Sequence, residues 1–227
     1  MAAPPPISCV LFDAVGTLIF GDPPPHMAYH RIGRRHGSSI TPPEASRRFK
    51  AAMAAAPRDL ETSPAREREF WQSVVAEVLP DAGDKDVCFQ ELWNHFANPS
   101  CWAVYADVEE TFQALRDRNI QIAIASNFDE RLHSVCDGHA ELKDVTARFV
   151  SSELGWKKPA RQFFQSIAAR LELAPASIVM IGDDPVTDIE AARSAGLQAI
   201  HINRTAESGE SALTSLTDLL ARLPPPA

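Results

Sequence analysis

The chain has 227 residues, 45% of them hydrophobic, which is enough for one sizeable core and a smaller accessory unit. Its formal net charge of −8 argues against nucleic acid or an anionic membrane surface as a partner. The sequence lacks a long apolar stretch, a basic signal-peptide region, and cysteines at metal-site spacing. These features predict a cytoplasmic protein with reduced thiols that does not contact a membrane.

The first predicted strand delivers a single carboxylate. The apolar run Ile7–Phe12 ends abruptly at Asp13, and the small-residue turn Gly16–Thr17 follows within the stretch VLFDAVGTL. A buried strand of a parallel sheet presents the residue after it at the carboxyl edge, where α/β enzymes place their chemistry. Asp13 is therefore the first candidate for a catalytic residue.

Four helical patterns follow Leu18 without an intervening strand. The patterns are His26–His36, Pro43–Ala56, Pro64–Leu79 and Lys85–Ala97. Capping residues and prolines mark several of their starts. We therefore expect residues 20–98 to form an inserted helical unit between the core segments 1–19 and 99–227. Trp71 and Trp93 lie in helical apolar patterns, which favours the interior of that unit over an interface for both.

The first half of this helical unit is basic. Between His26 and Arg58 it carries seven lysine or arginine residues, Arg31 and Arg35 among them, against the single acid Glu44. Such a segment either forms solvated helix faces or attracts an anionic small molecule. Both readings stay open at this point.

Helices and strands alternate from Asp107 onward. The predicted strands are Ile120–Ala125, Ala147–Val150, Ser177–Ile181 and Ala199–Ile202. The predicted helices are Asp107–Arg118, Glu130–Cys136, Ala160–Leu171, Thr187–Ala195 and Ala212–Leu223. Alternation of this kind predicts an α/β core with a doubly wound parallel, Rossmann-like sheet, in which the strand before Asp13 is central.

Polar groups follow the predicted strands or begin the helices. They are Asp13, the pair Ser126 and Asn127, the segment Lys157–Pro159, and the acidic run Asp183–Asp188. In a doubly wound sheet the carboxyl ends of adjacent strands converge on one crevice. A carboxylate, a hydroxyl, an amine and an acidic cluster together suit phosphoryl transfer, which depends on positioning and charge neutralisation.

The order of these motifs resembles the haloacid dehalogenase-like (HAD) hydrolase superfamily over nearly the whole chain. The motifs are FDAVGTL, ASN, KKP and GDDPVTD, and the helical unit resembles the four-helix cap of that superfamily. Three further segments resemble the REG-2-like group: SNFDERL at Ser126–Leu132, SSELGWKKP at Ser151–Pro159, and FANPSCW at Phe96–Trp102. This resemblance specifies the fold better than the substrate.

The resemblance implies a metal site at the edge of the sheet. Asp13 would be the nucleophile that forms an aspartyl-phosphate, and it would bind Mg²⁺ together with Asp183 and the backbone oxygen of Val15. Oxygen ligands with retained waters are what Mg²⁺ prefers. Asp184 and Asp188 would orient the metal waters or the catalytic lysine.

The resemblance also assigns groups to the phosphoryl oxygens of a small phosphorylated or otherwise anionic substrate. Ser126 would donate a hydrogen bond, Lys158 would neutralise developing charge, and Asn127 would help to position them. Gly16 would let the backbone approach the phosphoryl group, and Thr17 would hold the turn.

Val15 departs from the pattern of the phosphatases in this superfamily, which have a second aspartate there. That aspartate protonates the leaving group and then activates water, and losing a general acid–base group costs about 10²–10⁴-fold in rate. Simple esters are therefore expected to be poor substrates. Three residues of the helical unit are candidates to replace it: His26, Tyr29 and His30.

Two alternatives stay open on the sequence. The first is a dehalogenase-like or phosphonatase-like hydrolase acting on carbon, in which Lys50 would form the Schiff base of a phosphonatase. The acidic run Asp183–Asp188 argues against the dehalogenase. The second is a catalytically impaired module that binds phosphate and metal without turnover.

Overall fold

The computed structural model describes residues 6–56, 59–205 and 212–223. Within these ranges the strands are β1 (Cys9–Phe12), β2 (Ile19–Gly21), β3 (Trp102–Val104), β4 (Gln121–Ser126), β5 (Ala147–Val150), β6 (Ile178–Gly182) and β7 (Gln198–His201). The helices are α1 (Pro25–Arg35), α2 (Pro42–Ala54), α3 (Pro64–Val78), α4 (Lys85–Ala97), α5 (Val108–Asp117), α6 (Arg131–Asp137), α7 (Ser151–Leu154), α8 (Arg161–Leu171), α9 (Ala191–Ser194) and α10 (Leu219–Arg222).

Five of the strands form a parallel sheet in the order β5-β4-β1-β6-β7. All four residues of β1 are buried, and they alternate between two layers of helices. Val10 and Phe12 pack in one apolar cluster with residues of α5 and α6, whereas Cys9 and Leu11 pack in another with α8 and α9. The prediction of a doubly wound, Rossmann-like α/β core with the strand before Asp13 at its centre is confirmed.

Four helices, α1 to α4, lie between β2 and β3 and share an apolar cluster of their own. Side chains cap three of them: Thr41 accepts from the N–H of Glu44 at the start of α2, and Ser63 and Asp84 cap α3 and α4. The observed bounds differ from the predicted ones by at most two residues. The four predicted helices are therefore present, while their action as a cap stays a prediction.

A two-stranded antiparallel ribbon, β2 with β3, links the helical unit to the sheet. Ile19 pairs with Val104, and Gly21 pairs with Trp102. The two passages of the chain between core and insertion therefore run side by side. This ribbon was not predicted, and the expected boundary after residue 19 falls inside β2. The expected core limits at residues 1 and 227 lie outside the described ranges.

The predicted helix Ala212–Leu223 was wrong in its first half. Leu213 instead extends the sheet edge, because its N–H donates to the carbonyl of His201 at 2.8 Å and its carbonyl accepts from Asn203 at 2.7 Å. Its side chain is buried, so tertiary packing overrides the helical pattern. Helical structure begins only at a 3₁₀ turn, Leu216–Asp218, followed by α10.

In the described part of the chain, no helix combines the length and the apolar character that crossing a bilayer requires. The four cysteines are free and buried. Burial raises the pKa of the Cys9 thiol to about 12 and that of Cys136 to about 11. Cys9 and Cys136 are therefore packing residues with little thiolate character at neutral pH.

Candidate active site

Asp13 lies at the carboxyl edge of the sheet, directly after its central strand. Its backbone N–H donates to the carbonyl of Ile181 in β6 at 2.8 Å, which continues the ladder one residue past β1. The residue is only 7% exposed. The neighbouring strands β4 and β6 end at the same level, so the residues that follow them surround Asp13.

Lys158 holds two carboxylates together. Its Nζ donates to Asp13 Oδ1 at 2.6 Å, to Asp188 Oδ1 at 2.6 Å and to the carbonyl of Ala125 at 3.2 Å. The side chain is buried, and its three N–H groups match three acceptors. Burial opposes its charge, but the two carboxylates raise the pKa of Lys158, so it stays a cation.

The two polar residues after β4 have different surroundings. Asn127 contacts the backbone of Lys158 through both ends of its amide, with Nδ2 donating to the carbonyl and Oδ1 accepting from the N–H. Ser126 is buried, and its Oγ accepts from the N–H of Phe128 at 3.2 Å. Asn127 is thus placed to position the lysine, and Ser126 lies beside it.

Three carboxylates form a cluster at this edge, which we call the carboxylate cluster: Asp13, Asp183 and Asp188. One oxygen from each lies within 4.8 Å of the others. Asp188 also accepts a hydrogen bond from Nζ of Lys158. The atoms that this cluster offers to a metal ion are all carboxylate oxygens.

Asp184 lies outside the carboxylate cluster because it caps the next helical segment. Its Oδ1 accepts from the N–H groups of Val186 and Thr187, each at 2.8 Å. Burial opposes its ionisation, but these backbone hydrogen bonds hold the pKa of Asp184 below its ordinary value. The segment it caps, Pro185–Glu190, has the wider π-helical turn, which departs from the predicted helical start at Thr187.

Glycines make room for two of these carboxylates. A Cβ added at Gly16 would collide with the carboxylate of Asp183, and one added at Gly182 would collide with that of Asp188. Gly16 also has a φ of +93°, which a side chain would make unfavourable. The loop after β1 therefore allows Asp183 to approach Asp13 closely.

The carboxylate cluster and Lys158 together carry more negative than positive charge. Burial, opposed by Lys158 but reinforced by Asp188 and Asp183, raises the pKa of Asp13 to about 7. Burial and the charge of Asp188 likewise raise the pKa of Asp183. Excess negative charge on closely spaced carboxylate oxygens fits a small divalent cation such as Mg²⁺.

A cavity of ≈500 Å³ opens above the carboxylate cluster. Its polar floor is Asp13, Ser126, Asn127, Lys158, Asp183, Asp184, Thr187 and Asp188. Its remaining lining is Val15, Pro25, Phe49, Met53, Trp71, Phe96, Trp102, Phe128 and Arg131. The structure therefore brings Ser126, Asn127 and Lys158 to the same space as the predicted nucleophile.

Gly16 and Thr17 do not line this cavity. Gly16 lies against Asp183, and Thr17 is fully buried with no hydrogen-bond partner for its Oγ1 among the described residues. Val15 does line the cavity and is 40% exposed. The roles of these three residues toward phosphate or metal stay predictions.

None of the candidates from the helical unit for acid–base or Schiff-base chemistry lines the cavity, within the described ranges. Tyr29 is buried against Phe49, with ring centroids 5.2 Å apart. The ring Nδ1 of His30 lies 2.8 Å from the carbonyl of Ile40. Lys50 is exposed to solvent on α2. His26, at the start of α1, is also absent from the lining.

Within the described ranges, no lysine or arginine of the basic segment lines the cavity either. Arg31 lines a separate surface depression, and Arg35 forms an ion pair with Glu91. Arg58, its last member, lies outside the described residues. The cavity lining thus gives no support to substrate selection by this segment.

Two residues that the sequence reading missed form a buried ion pair beside the cavity. Arg131 donates to both oxygens of Asp129 at 2.7 and 2.6 Å, and its guanidinium lies 3.7 Å from the ring centroid of Trp93. The motif SNFDERL contains both residues, but only the tertiary structure brings Trp93 to them. Trp71 is partly buried against the apolar cluster of the helical unit, and it also lines the cavity.

Arg204 was also missed, and it binds the loop after β1. It donates to the carbonyl of Thr17 from Nε at 3.1 Å and from Nη2 at 2.5 Å, and twice to Asp107 at 3.0 Å. Its guanidinium stacks on Tyr105, 3.7 Å from the ring centroid. No sequence motif marks it, because its partners lie about 100 residues or more away.

Comparison with known proteins places these features in a family. A family model described as haloacid dehalogenase-like hydrolase matches residues 7–196. The human protein "Haloacid dehalogenase-like hydrolase domain-containing protein 3" is 26% identical over 202 residues, 85% of this chain and 80% of its own. The "Rhythmically expressed gene 2 protein" of Drosophila melanogaster is 26% identical over 206 residues, 82% and 79% of the two chains, in agreement with the resemblance to the REG-2-like group.

Solved structures share the fold. The putative HAD-hydrolase YfnB from Bacillus subtilis, described as bound to magnesium, superposes with a TM-score of 0.79 at 16% identity over 96% of this chain and 99% of its own. Proteins described as a phosphatase and as a haloacid dehalogenase both have this fold. The fold alone therefore does not choose between these chemistries.

Proposed function

The chain belongs to the haloacid dehalogenase-like hydrolase family, and we propose that it is a Mg²⁺-dependent phosphatase or phosphotransferase acting on a small phosphorylated metabolite. One observation carries this proposal. Lys158 bridges Asp13 and Asp188 at 2.6 Å each, while Asp183 completes a group of three carboxylates. A buried nucleophile, a fixed cation and an oxygen-only metal site are the parts that phosphoryl transfer needs.

Asp13 acts as the nucleophile in this proposal. Its carboxylate attacks phosphorus, the ester oxygen leaves with the bonding electrons, and an aspartyl-phosphate forms. Lys158 neutralises charge on the phosphoryl oxygens and keeps the second oxygen of Asp13 free to attack. Water then hydrolyses the acyl phosphate and restores the carboxylate.

Asp13 and Asp183, with the backbone oxygen of Val15, hold the metal in this proposal. When bound, Mg²⁺ supplies charge neutralisation at the carboxylates and at the phosphoryl group. Asp188 orients Lys158 in this proposal. Asp184 caps the segment Pro185–Glu190, which carries Asp188. Ser126 and Asn127 lie in the polar floor of the cavity, where they would contact the phosphoryl group.

Val15 defines the limits of this activity. It lines the cavity where an acid–base group would be needed, and no histidine, tyrosine, lysine or carboxylate of the helical unit lines the cavity within the described ranges. The leaving group then takes its proton from water. Acyl phosphates and aryl phosphates, whose leaving groups are weak bases, are therefore expected to react faster than alkyl esters.

The helical unit at residues 20–98 is proposed to act as a cap on a core of residues 1–19 and 99–227. Its side chains line the cavity opposite the carboxylate cluster, which would exclude water during the reaction. The free, buried cysteines agree with the expected cytoplasmic location, which remains part of the proposal.

The runner-up is a module that binds phosphate and metal without turnover, and Val15 is the observation that favours it. Of the carbon-centred alternatives, the phosphonatase-like chemistry lacks support because Lys50 is exposed outside the cavity lining. Dehalogenase-like chemistry lacks support because a cluster of three carboxylates is typical of a metal-binding site, and a dehalogenase would work without a metal.

Initial rates on p-nitrophenyl phosphate and acetyl phosphate, with and without Mg²⁺, test the proposal. The variants are Asp13→Asn, Val15→Asp and the control Asp117→Asn, an exposed carboxylate on α5 that accepts from Gln113. We expect Mg²⁺-dependent turnover that Asp13→Asn abolishes, that Val15→Asp raises by about tenfold or more, and that Asp117→Asn leaves unchanged.

Absence of turnover on acetyl phosphate, combined with Mg²⁺-dependent binding of phosphate, would favour the binding module. Turnover that survives Asp13→Asn would overturn the assignment of the nucleophile. Release of halide from a 2-haloacid without Mg²⁺ would move the assignment to dehalogenation.

A further inference from the structure

The helical unit presents an apolar wall to the cavity. Every side chain that it contributes is apolar or aromatic, and we call this set the apolar wall: Pro25, Phe49, Met53, Trp71 and Phe96. The indole N–H of Trp71 is the one strong hydrogen-bonding group among these side chains. A polar ligand in contact with this wall would lose water without gaining partners.

The core extends the apolar wall with two aromatic rings. Trp102 and Phe128 line the same cavity, with ring centroids 5.3 Å apart in an edge-to-face arrangement. The Nε1–H of Trp102 donates to the carbonyl of Phe96 at 3.1 Å, so its polar atom is already satisfied. What these residues offer a ligand is ring surface.

The one charged side chain in this part of the cavity is compensated. Arg131 is held by both oxygens of Asp129, which is fully buried, and it stacks on Trp93. An ion pair of this geometry leaves little net charge to attract an anionic leaving group. Beyond the acidic floor formed by the carboxylate cluster and Asp184, and beyond Lys158, the lining therefore carries no uncompensated charge among the described residues.

We propose that the substrate's leaving group is a neutral, hydrophobic alcohol or phenol that bears a ring, and that polyol phosphates such as sugar phosphates are disfavoured. This inference rests on the proposed phosphatase function and names its substrate class. Burial of a ring against aromatic side chains is favourable, because apolar area leaves water. Each polyol hydroxyl left without a partner costs about tenfold in affinity.

Binding of non-hydrolysable phosphonates, measured by calorimetry in the presence of Mg²⁺, tests this inference without requiring turnover. The probes are benzylphosphonate, methylphosphonate and 2,3-dihydroxypropylphosphonate. We expect benzylphosphonate to bind about 30-fold more tightly than methylphosphonate, since a phenyl ring leaves water. The dihydroxypropyl compound is expected to bind no more tightly than methylphosphonate.

Variants of the apolar wall locate the effect. Phe49→Gln and Met53→Gln are expected to reduce the preference for benzylphosphonate to about threefold while methylphosphonate affinity is retained. Met53 is 39% exposed, so its variant keeps the test valid if Phe49→Gln does not fold. Val87→Gln is the control, because Val87 is 53% exposed on α4 and does not line the cavity.

The outcomes separate the two proposals. Tight binding of methylphosphonate without any gain from the benzyl group would overturn the apolar leaving group and leave the phosphatase intact. Equal effects of Val87→Gln and Phe49→Gln would also overturn it. Failure of every phosphonate and of inorganic phosphate to bind with Mg²⁺ would overturn the proposed function and this inference with it.

Discussion

The side-chain amide of Asn127 forms hydrogen bonds with both the N–H and the carbonyl of Lys158. Its Nδ2 donates to the Lys158 carbonyl at 2.9 Å, and its Oδ1 accepts from the Lys158 N–H at 2.7 Å. The loop after β4 thereby fixes the start of the lysine side chain, whose Nζ reaches Asp13 at 2.6 Å. The position of the Lys158 ammonium group therefore depends on the uncharged side-chain amide of Asn127.

Asn127→Ala is therefore expected to lower both stability and activity. Loss of two hydrogen bonds costs about 1–3 kcal/mol in the free energy of unfolding. Displacement of Lys158 is expected to reduce kcat by about tenfold or more. Urea unfolding and initial rates on acetyl phosphate measure the two effects. The matched control is Asn94→Ala, which removes an exposed amide bonded to Gln90 and is expected to change neither.

Gly16→Ala is expected to abolish Mg²⁺ binding. The new Cβ would collide with the carboxylate of Asp183 and would also make a φ of +93° unfavourable. Gly37→Ala separates these effects, because Gly37 has a φ of +85° with no atom within 4 Å of its added Cβ. Both variants are expected to lose about 1–2 kcal/mol from backbone strain. If calorimetry showed normal Mg²⁺ affinity in Gly16→Ala, the close approach of Gly16 and Asp183 would be irrelevant to the metal.

Stabilisation by Mg²⁺ is expected to increase with pH. Burial, opposed by Lys158, raises the pKa of Asp13 to about 7, above its ordinary 3.8. The folded state thus binds this proton more tightly than the unfolded state, so the stability contribution of Asp13 falls as pH rises from about 4 to about 7. Mg²⁺ binds the ionised carboxylate, so the increase in Tm that it causes should be larger at about pH 8 than at about pH 5.5.

Thermal melts with and without Mg²⁺ at the two pH values measure this dependence. Asp13→Asn is expected to show a smaller increase at both values and a weaker dependence on pH, because the titrating group is absent. An equal increase in Tm at both pH values in the unmodified protein would show that Asp13 is already ionised at the lower one.

Arg204→Lys is expected to reduce kcat and Mg²⁺ affinity by about threefold to tenfold, because a lysine does not reproduce the forked contacts. Arg204 joins the carbonyl of Thr17 to Asp107 and stacks on Tyr105, so it holds the loop that carries Asp13. The control Arg116→Lys alters an exposed arginine over Phe112, far from this loop in the chain. A loss of stability with unchanged Mg²⁺ affinity would make Arg204 a structural residue only.

The sequence predicted the centre of the site because that centre depends on local order. Apolar strands followed by polar residues identify Asp13, Ser126 and the acidic run Asp183–Asp188, and a parallel sheet brings their edges together. Lys158 precedes a helix rather than following a strand, and its motif context identified it. The structure places Asp13, Ser126, Lys158 and the three aspartates of the acidic run around one cavity.

The surroundings of the site could not be predicted, because they depend on packing between distant segments. Arg131 and Trp93 meet only when α6 lies against α4, and Arg204 contacts residues that precede it by about 100 positions or more. The orientation of α2 and α3 decides that Phe49 and Trp71 line the cavity while Lys50 faces solvent. A helical sequence pattern shows which side chains share one face of a helix, but it does not show which segment that face packs against.

The central position of β1 has a consequence for how the protein is made. Cys9 pairs with Gln121 on one side and with Ile178 on the other, both more than one hundred residues later in the chain. β1 is synthesised before both of its partner strands, and it pairs with them only after large loops have closed at an entropic cost. A chain whose synthesis stops before β6 therefore has neither Asp183 nor the pairing that fixes Asp13, so the carboxylate cluster forms only after β6 has been made.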